Sequence, residues 1–266
     1  MRATENSSLW VCKISNSLKV KGVDFKDLNE RAVLAHRLGK LLILPFPDFQ
    51  IKPIDHILGL EKYKLQNKIN DLVWLSRYVG DPLTDYLIHS KIENIINKHI
   101  LWDSVVFNLW IGNYDRKDSD YVVDNKNNLY LIDYHLWGPG FLMGDQLALG
   151  AYAESYSLTE SQDTGWCVGA PFLLSHFIDK QFKMDKFLPM IEKIQALEDY
   201  KIRQSLKELQ FTKENDEKLE LEIFLSYLFK RRDLLQGVLH NWIRDGYPKG
   251  KRPKNPEHDD DLYPNI

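Results

Sequence analysis

Three aspartates stand around one short polar stretch: Asp115, Asp120 and Asp133, within GNYDRKDSDYVVDNKNNLYLIDYH, Gly112 to His135. Two apolar runs enclose it, and Asp133 closes LYLID where a strand should run out. Carboxylates grouped in this way suit phosphoryl transfer. That chemistry needs one carboxylate to orient or deprotonate an acceptor hydroxyl and oxygen ligands for magnesium. It also needs a lysine, steadied by a helical glutamate, on the nucleotide phosphates. Magnesium keeps several of its waters, so two side chains are enough to hold it. The remaining parts lie upstream in a workable order. Lys13 sits in a strand, Glu30 on the next helix, Asp115 leads the polar loop, Asp120 follows its turn, and Asp133 ends the hairpin.

These residues need elements to carry them. LWVCKI (Leu9 to Ile14) is rich in branched and aromatic residues and predicts a strand. DLNERAVLAHRLGK (Asp27 to Lys40) predicts a helix, capped by Asp27 or Asn29 and closed by Gly39. The prolines of LLILPFPDFQIKPID limit that segment to extended or edge positions. DLVWLSRYVG (Asp71 to Gly80) predicts a second strand, ended by the turn GDP, and Ile92 to Trp110 predicts one buried helix. YVVD and NLYLID predict two short strands joined by NKNN, whose asparagines tolerate turn geometry. From about Met184 the pattern is helical, with a long final helix expected over Lys218 to Arg244. The charge run Lys230 to Arg232 is expected on a solvated helix face, and His135 in a plain core or surface role. The order gives an α+β chain. A small mixed lobe would occupy residues 1–80, a mainly helical lobe 81–246, and a flexible polar tail 247–266. A ligand cleft between the lobes is the expected site.

Composition narrows the classes. A chain of 266 residues can build a real core, and 44% hydrophobic with 27% charged residues is ordinary for a globular protein. The net charge of −3 gives no overall basic field, so no direct nucleic-acid partner is expected. Cys12 and Cys167 stand in apolar settings without Cys or His spacing, which argues against a zinc site or a disulfide framework. MRATENSSLW holds no apolar signal core, and no apolar run approaches a membrane span. A cytoplasmic protein without membrane contact is expected.

NLWIGNYDRKDSDYVV followed by LYLIDYH resembles the catalytic segment of HipA-like kinases. In that family an N-x-D-R loop is followed by a metal-binding Asn, at the place held here by Asp120, and then by an I-D metal Asp. Type II phosphatidylinositol 4-kinases share a similar segment. LWVCKI with NERAVLAHRLGKLLILPFPDFQI, and the helices from IEKIQALE onward, resemble the same family more loosely. The resemblance covers most of residues 9–243. It implies a bilobal protein-kinase-like fold with a small, reduced N-lobe, and ATP with magnesium as cofactors. It implies Asp115 as catalytic carboxylate, Asp133 and Asp120 as metal ligands, Lys13 as phosphate contact, Glu30 as its partner, and Trp74 to Val79 near the adenine. A serine/threonine kinase acting on a protein follows, toxin-like and with an antitoxin-like partner. Ser7 and Ser8 match the place where some members phosphorylate themselves.

Two departures open other readings. Asp120 replaces the family's Asn, and MRATENSS has no glycine where a glycine-rich hairpin would cover the phosphates. Both favour a pseudokinase or nucleotide-binding interaction module. A small-molecule or lipid kinase on the same scaffold is a further alternative, against which the absence of a basic amphipathic surface argues.

Overall fold

Alternation along two apolar strands builds the first layer. The structure is a computed structural model, and it describes residues 2–5, 8–13, 18–20, 23–25, 27–57, 72–113, 117–135, 184–212, 218–219 and 221–244. Strands β1 (Arg2–Glu5), β2 (Ser8–Lys13), β5 (Phe49–Pro53) and β6 (Leu72–Arg77) form an antiparallel sheet in the order β1-β2-β6-β5. The proline-rich segment does take the edge, as expected, where a missing N–H does no harm. Cross-strand partners share a face of the sheet. The register pairs Cys12 with Leu75 and Lys13 with Trp74. Trp10, Cys12, Val73 and Leu75 therefore pack on one side with Ile54 and Ile57, while Trp74 joins the larger core on the other. Strands β3 (Leu18–Val20) and β4 (Val23–Phe25) form a separate ribbon.

Helix α1 spans Leu28–Leu41. Asp27 does precede it, but with φ 61° and no capping bond from its side chain; its carbonyl accepts from the Arg31 N–H at 2.9 Å. Asn29 lies inside the helix and is buried. Gly39 does not end the helix either. The Phe46 ring occupies the place of its missing Cβ, 2.1 Å from where that atom would be, so this glycine serves packing.

Strand β6 leads through Tyr78–Gly80 into β7 (Asp81–Pro82), which pairs with β8 (Tyr121–Val123), itself paired with β9 (Leu129–Leu131). The expected GDP turn is thus half turn, half strand. Helix α2 (Leu83–His89) follows. The single helix expected over Ile92 to Trp110 is broken: a 3-10 turn covers Ile92–Asn94, and α3 begins only at Ile100, running to Ile111. The backbone turns extended at Ile95 (φ −71°, ψ 121°), and the Ile96 N–H donates to the Asn127 carbonyl at 2.9 Å. Next to it the Asn97 amide oxygen accepts from the Leu129 N–H at 2.7 Å and its amide nitrogen donates to the Leu129 carbonyl at 3.0 Å. These bonds join the break to the β8–β9 hairpin.

Helices α4 (Leu188–Gln195), α5 (Asp199–Ser205) and α6 (Leu221–Arg244) complete the helical part. The last helix starts later than expected because Lys218–Leu219 is a strand, β11, paired with β10 (Phe211–Thr212). Helix α6 packs on α3, with Trp110 Nε1 donating to the Leu228 carbonyl at 3.0 Å and Arg231 Nε to the Leu109 carbonyl at 2.8 Å. Arg231 is fully buried, and Arg232 reaches the Leu197 carbonyl and Asp199. The run Lys230 to Arg232 is therefore a joint between helices and not a solvated face. Helix α1 is tied to α5 by Arg37, which donates to the carbonyls of Ser205 (3.0 Å) and Lys207 (2.8 Å). One apolar core runs from α1 through α3 to α6. The chain is mixed α+β, and among the described residues no helix is long and apolar enough to cross a membrane. The tail 247–266 lies outside the described residues.

Candidate functional site

The alternation of β2 and β6 that buries Cys12 and Leu75 on one side turns Val11, Lys13, Trp74 and Ser76 to the other, where they line a cavity of about 630 Å³. Asp133 lines the same cavity. The β8–β9 ladder ends as the Ile132 N–H donates to the Asp120 carbonyl at 2.9 Å. The next residue, Asp133, has φ 62°. That left-handed conformation is uncommon outside glycine, though aspartate tolerates it better than most. Asp133 lies at the cavity while its successors, Tyr134 and His135, are buried.

The Lys13 Nζ donates to Asp133 Oδ1 across 120 positions of sequence. Their side chains are 39% and 40% exposed. An ion pair so open contributes about 0–1 kcal/mol, so the fold hardly depends on it. His135 Nδ1 lies 3.2 Å from the same Oδ1 and 3.4 Å from Lys13 Nζ. Burial alone would raise the Asp133 carboxyl, but the His135 hydrogen bond and the Lys13 ammonium reverse this and hold it well below the usual carboxylate range. Asp133 is an anion at neutral pH. Burial pushes the His135 imidazole down, with Lys13 adding to the effect and Asp133 opposing it. His135 is neutral there.

One wall of the cavity is aromatic. Trp74 stacks on Phe49 with centroids 4.2 Å apart and planes 8° apart. His36, from α1, packs edge-on against both, at 5.2 and 4.7 Å. Burial, then the neighbouring His135 and Lys40, lower the His36 pKa to about 3. The β6–β7 connection also borders the cavity, and there Tyr78 donates to Asp81 Oδ1 at 2.7 Å. Gly80 is required in that connection: a Cβ there would lie 1.9 Å from the Val123 carbonyl oxygen, and backbone cannot yield cheaply.

Lys13 and Asp133 are thus brought together, and Trp74 and Ser76–Val79 border the same space. Asp120 is tied through its carbonyl to Ile132, beside Asp133. Its carboxylate is buried, and Oδ2 accepts from the Lys117 N–H at 2.8 Å, capping the 3-10 turn Asp118–Asp120; its neighbour Ser119 lines the cavity. Glu30 is half-buried in the first turn of α1. Asp115 and Ser7 lie outside the described residues, and Ser8 opens β2. Sequence reasoning missed His135 and His36. The spacing of His135, two positions past an aspartate at a strand end, was the available signal; nothing in the sequence points to His36.

No protein-family model matches the chain, and no curated protein matches it in sequence. What the site can do rests on its own chemistry. Among the described residues no three His, Cys, Asp or Glu side chains gather into a ready metal cluster. The ionised oxygen of Asp133 is nevertheless the kind of hard donor that magnesium takes, alongside water. Beside it stands an ammonium suited to anionic oxygen. The cavity volume falls within the roughly 300–1,000 Å³ usual for small-ligand sites.

Proposed function

We propose that the chain is an ATP- and magnesium-dependent HipA-like serine/threonine protein kinase with a bilobal protein-kinase-like fold. The observation that carries this reading is the meeting of Lys13 and Asp133 at one cavity, bordered by the aromatic wall and the β6–β7 connection. A cation and an anion with little worth to stability, held at the mouth of a ligand-sized space, suit a ligand bearing both phosphate and metal.

Lys13 would hold phosphate oxygens, giving up Asp133 to do so. Asp133, freed on one side, would hold the cation. Magnesium, when bound, neutralises charge on the phosphates. Ser76 to Gly80 and Trp74 would border the base. Asp115 would orient the acceptor hydroxyl and take its proton. The acceptor would be a protein serine or threonine, with Ser7 and Ser8 as sites on the chain itself, and an antitoxin-like protein would be the regulatory partner.

Intact-protein mass after incubation with Mg·ATP tests the reading. The expected result is a gain of one or more phosphates in the wild type and none in Asp115→Ala or Asp133→Ala. A second reading, a nucleotide-binding module without transfer, is favoured by Asp120, whose buried carboxylate already caps a turn. Calorimetric binding of Mg·ATP without mass gain, on the chain and on a panel of protein and small hydroxyl acceptors, would select it. No binding at all would end both.

A further inference from the structure

Asp133 has two neighbours, and they differ in freedom. Lys13 sits on a flexible stem, half exposed, and an anionic ligand competes for its ammonium. His135 cannot follow. Its ring is buried and stands edge-on to Trp74, centroids 5.3 Å apart at 81°. Its Nδ1 is 3.2 Å from Asp133 Oδ1. Two lone pairs at that distance repel, so Nδ1 carries a proton and donates it. The same nitrogen is then a donor facing the Lys13 ammonium at 3.4 Å, a contact without a hydrogen bond. The far side of the ring agrees. Among the described residues the buried Nε2 has no hydrogen-bond partner. A proton there would be a buried donor with no acceptor, the rarer and costlier kind of orphan.

We propose that His135 is a positioning residue for Asp133: its Nδ1–H fixes the carboxylate toward the cavity, and keeps it fixed when Lys13 moves onto an anionic ligand. This rests on the proposed function in one respect, that the ligand is a nucleotide phosphate with its cation. Without such a partner, the departure of Lys13 would leave Asp133 at an uncommon backbone conformation with nothing to set its rotamer.

The test begins with the full-length wild-type chain, labelled with [15N]histidine. Long-range proton–nitrogen correlations distinguish the two tautomers of His135, assigned by its loss in a variant. The Nδ1–H form is expected both alone and with a non-hydrolysable ATP analogue and Mg2+; an Nε2–H form in either state would overturn the proposal. Two variants add a readout that simple packing would not move. His135→Leu removes the donor, and His135→Asn returns an amide N–H near the position of Nδ1. Titration with Mn2+ and the analogue, read by electron paramagnetic resonance, should show about 10- to 100-fold weaker cation binding in His135→Leu, most of it recovered in His135→Asn. Equal loss in both variants would refute the positioning role. If the wild type binds no nucleotide, the kinase reading falls, and the tautomer of the free protein still decides this one.

Discussion

Helix α3 and the four residues from Ile132 to His135 handle polar groups in opposite ways. All twelve residues of α3 are buried, including Asp103, Ser104 and Asn108. Its polar atoms close the fold. Ser104 Oγ meets the Leu101 carbonyl at 2.9 Å and the Tyr121 hydroxyl at 2.8 Å, and the Gly112 N–H returns to the Asn108 carbonyl at 2.9 Å. The Ile132–His135 strip instead holds a half-exposed anion at positive φ between an ammonium and an imidazole. Groups arranged for stability are satisfied and immobile; those arranged for a ligand keep partners that can be exchanged. Deletions in the two regions should therefore fail in different assays.

The largest loss should come from α3. Trp110→Ala removes a fully buried ring and its bond to Leu228, and should cost about 3–5 kcal/mol in urea unfolding. Gly80→Ala tests the border between the regions. The new Cβ cannot fit against Val123 without moving backbone, so about 1–3 kcal/mol should be lost, with weaker ligand binding as the cavity wall shifts. Ser104→Ala removes two buried hydrogen bonds, to the Leu101 carbonyl and the Tyr121 hydroxyl, and should cost about 1–2 kcal/mol by the same unfolding assay, leaving binding intact. Lys13→Met sharpens the comparison most. Its stability should change by less than about 1 kcal/mol, while calorimetry should find nucleotide binding lost. Unfolding of Lys13→Met would instead place Lys13 among the groups that hold the fold.

The smallest effect is a pH dependence. His36 has its pKa lowered from 6.5 to about 3 in the fold. The unfolded chain takes up that proton first as pH falls, so the contribution is whole above pH 6.5 and declines downward, levelling near pH 3. The slope of stability against pH across this window should be shallower in His36→Phe than in the wild type.

Local pattern carried much of this architecture. Alternating branched and aromatic residues announced β2, β6, β8 and β9, and helical periodicity announced α1, α3 and the C-terminal helices. Partners distant in sequence decided the rest. The break before α3 goes with partners far along the chain: the Ile96 N–H donates to the Asn127 carbonyl and the Asn97 amide pairs with Leu129. Gly39 looks like a helix terminator until Phe46 is seen to lie over it. The arginines of the Lys230 to Arg232 run read as solvated because their carbonyl acceptors lie far off in sequence, Leu109 on α3 and Leu197 between α4 and α5. At the site, residue type and order drew attention to Lys13 and Asp133, but their contact needs the whole sheet and hairpin between them. His135 had no periodic signature to mark it.

The 120 positions between Lys13 and Asp133 also set a schedule for synthesis. At translation rates of about 5–20 residues per second, roughly 6–24 s separate the two side chains as they are made. Strand β2 must wait through that interval, and no nascent chain that stops short of residue 133 can own the cavity. Whatever the site does, it begins only after residue 133 has been made, so a fragment released before that point lacks the pair.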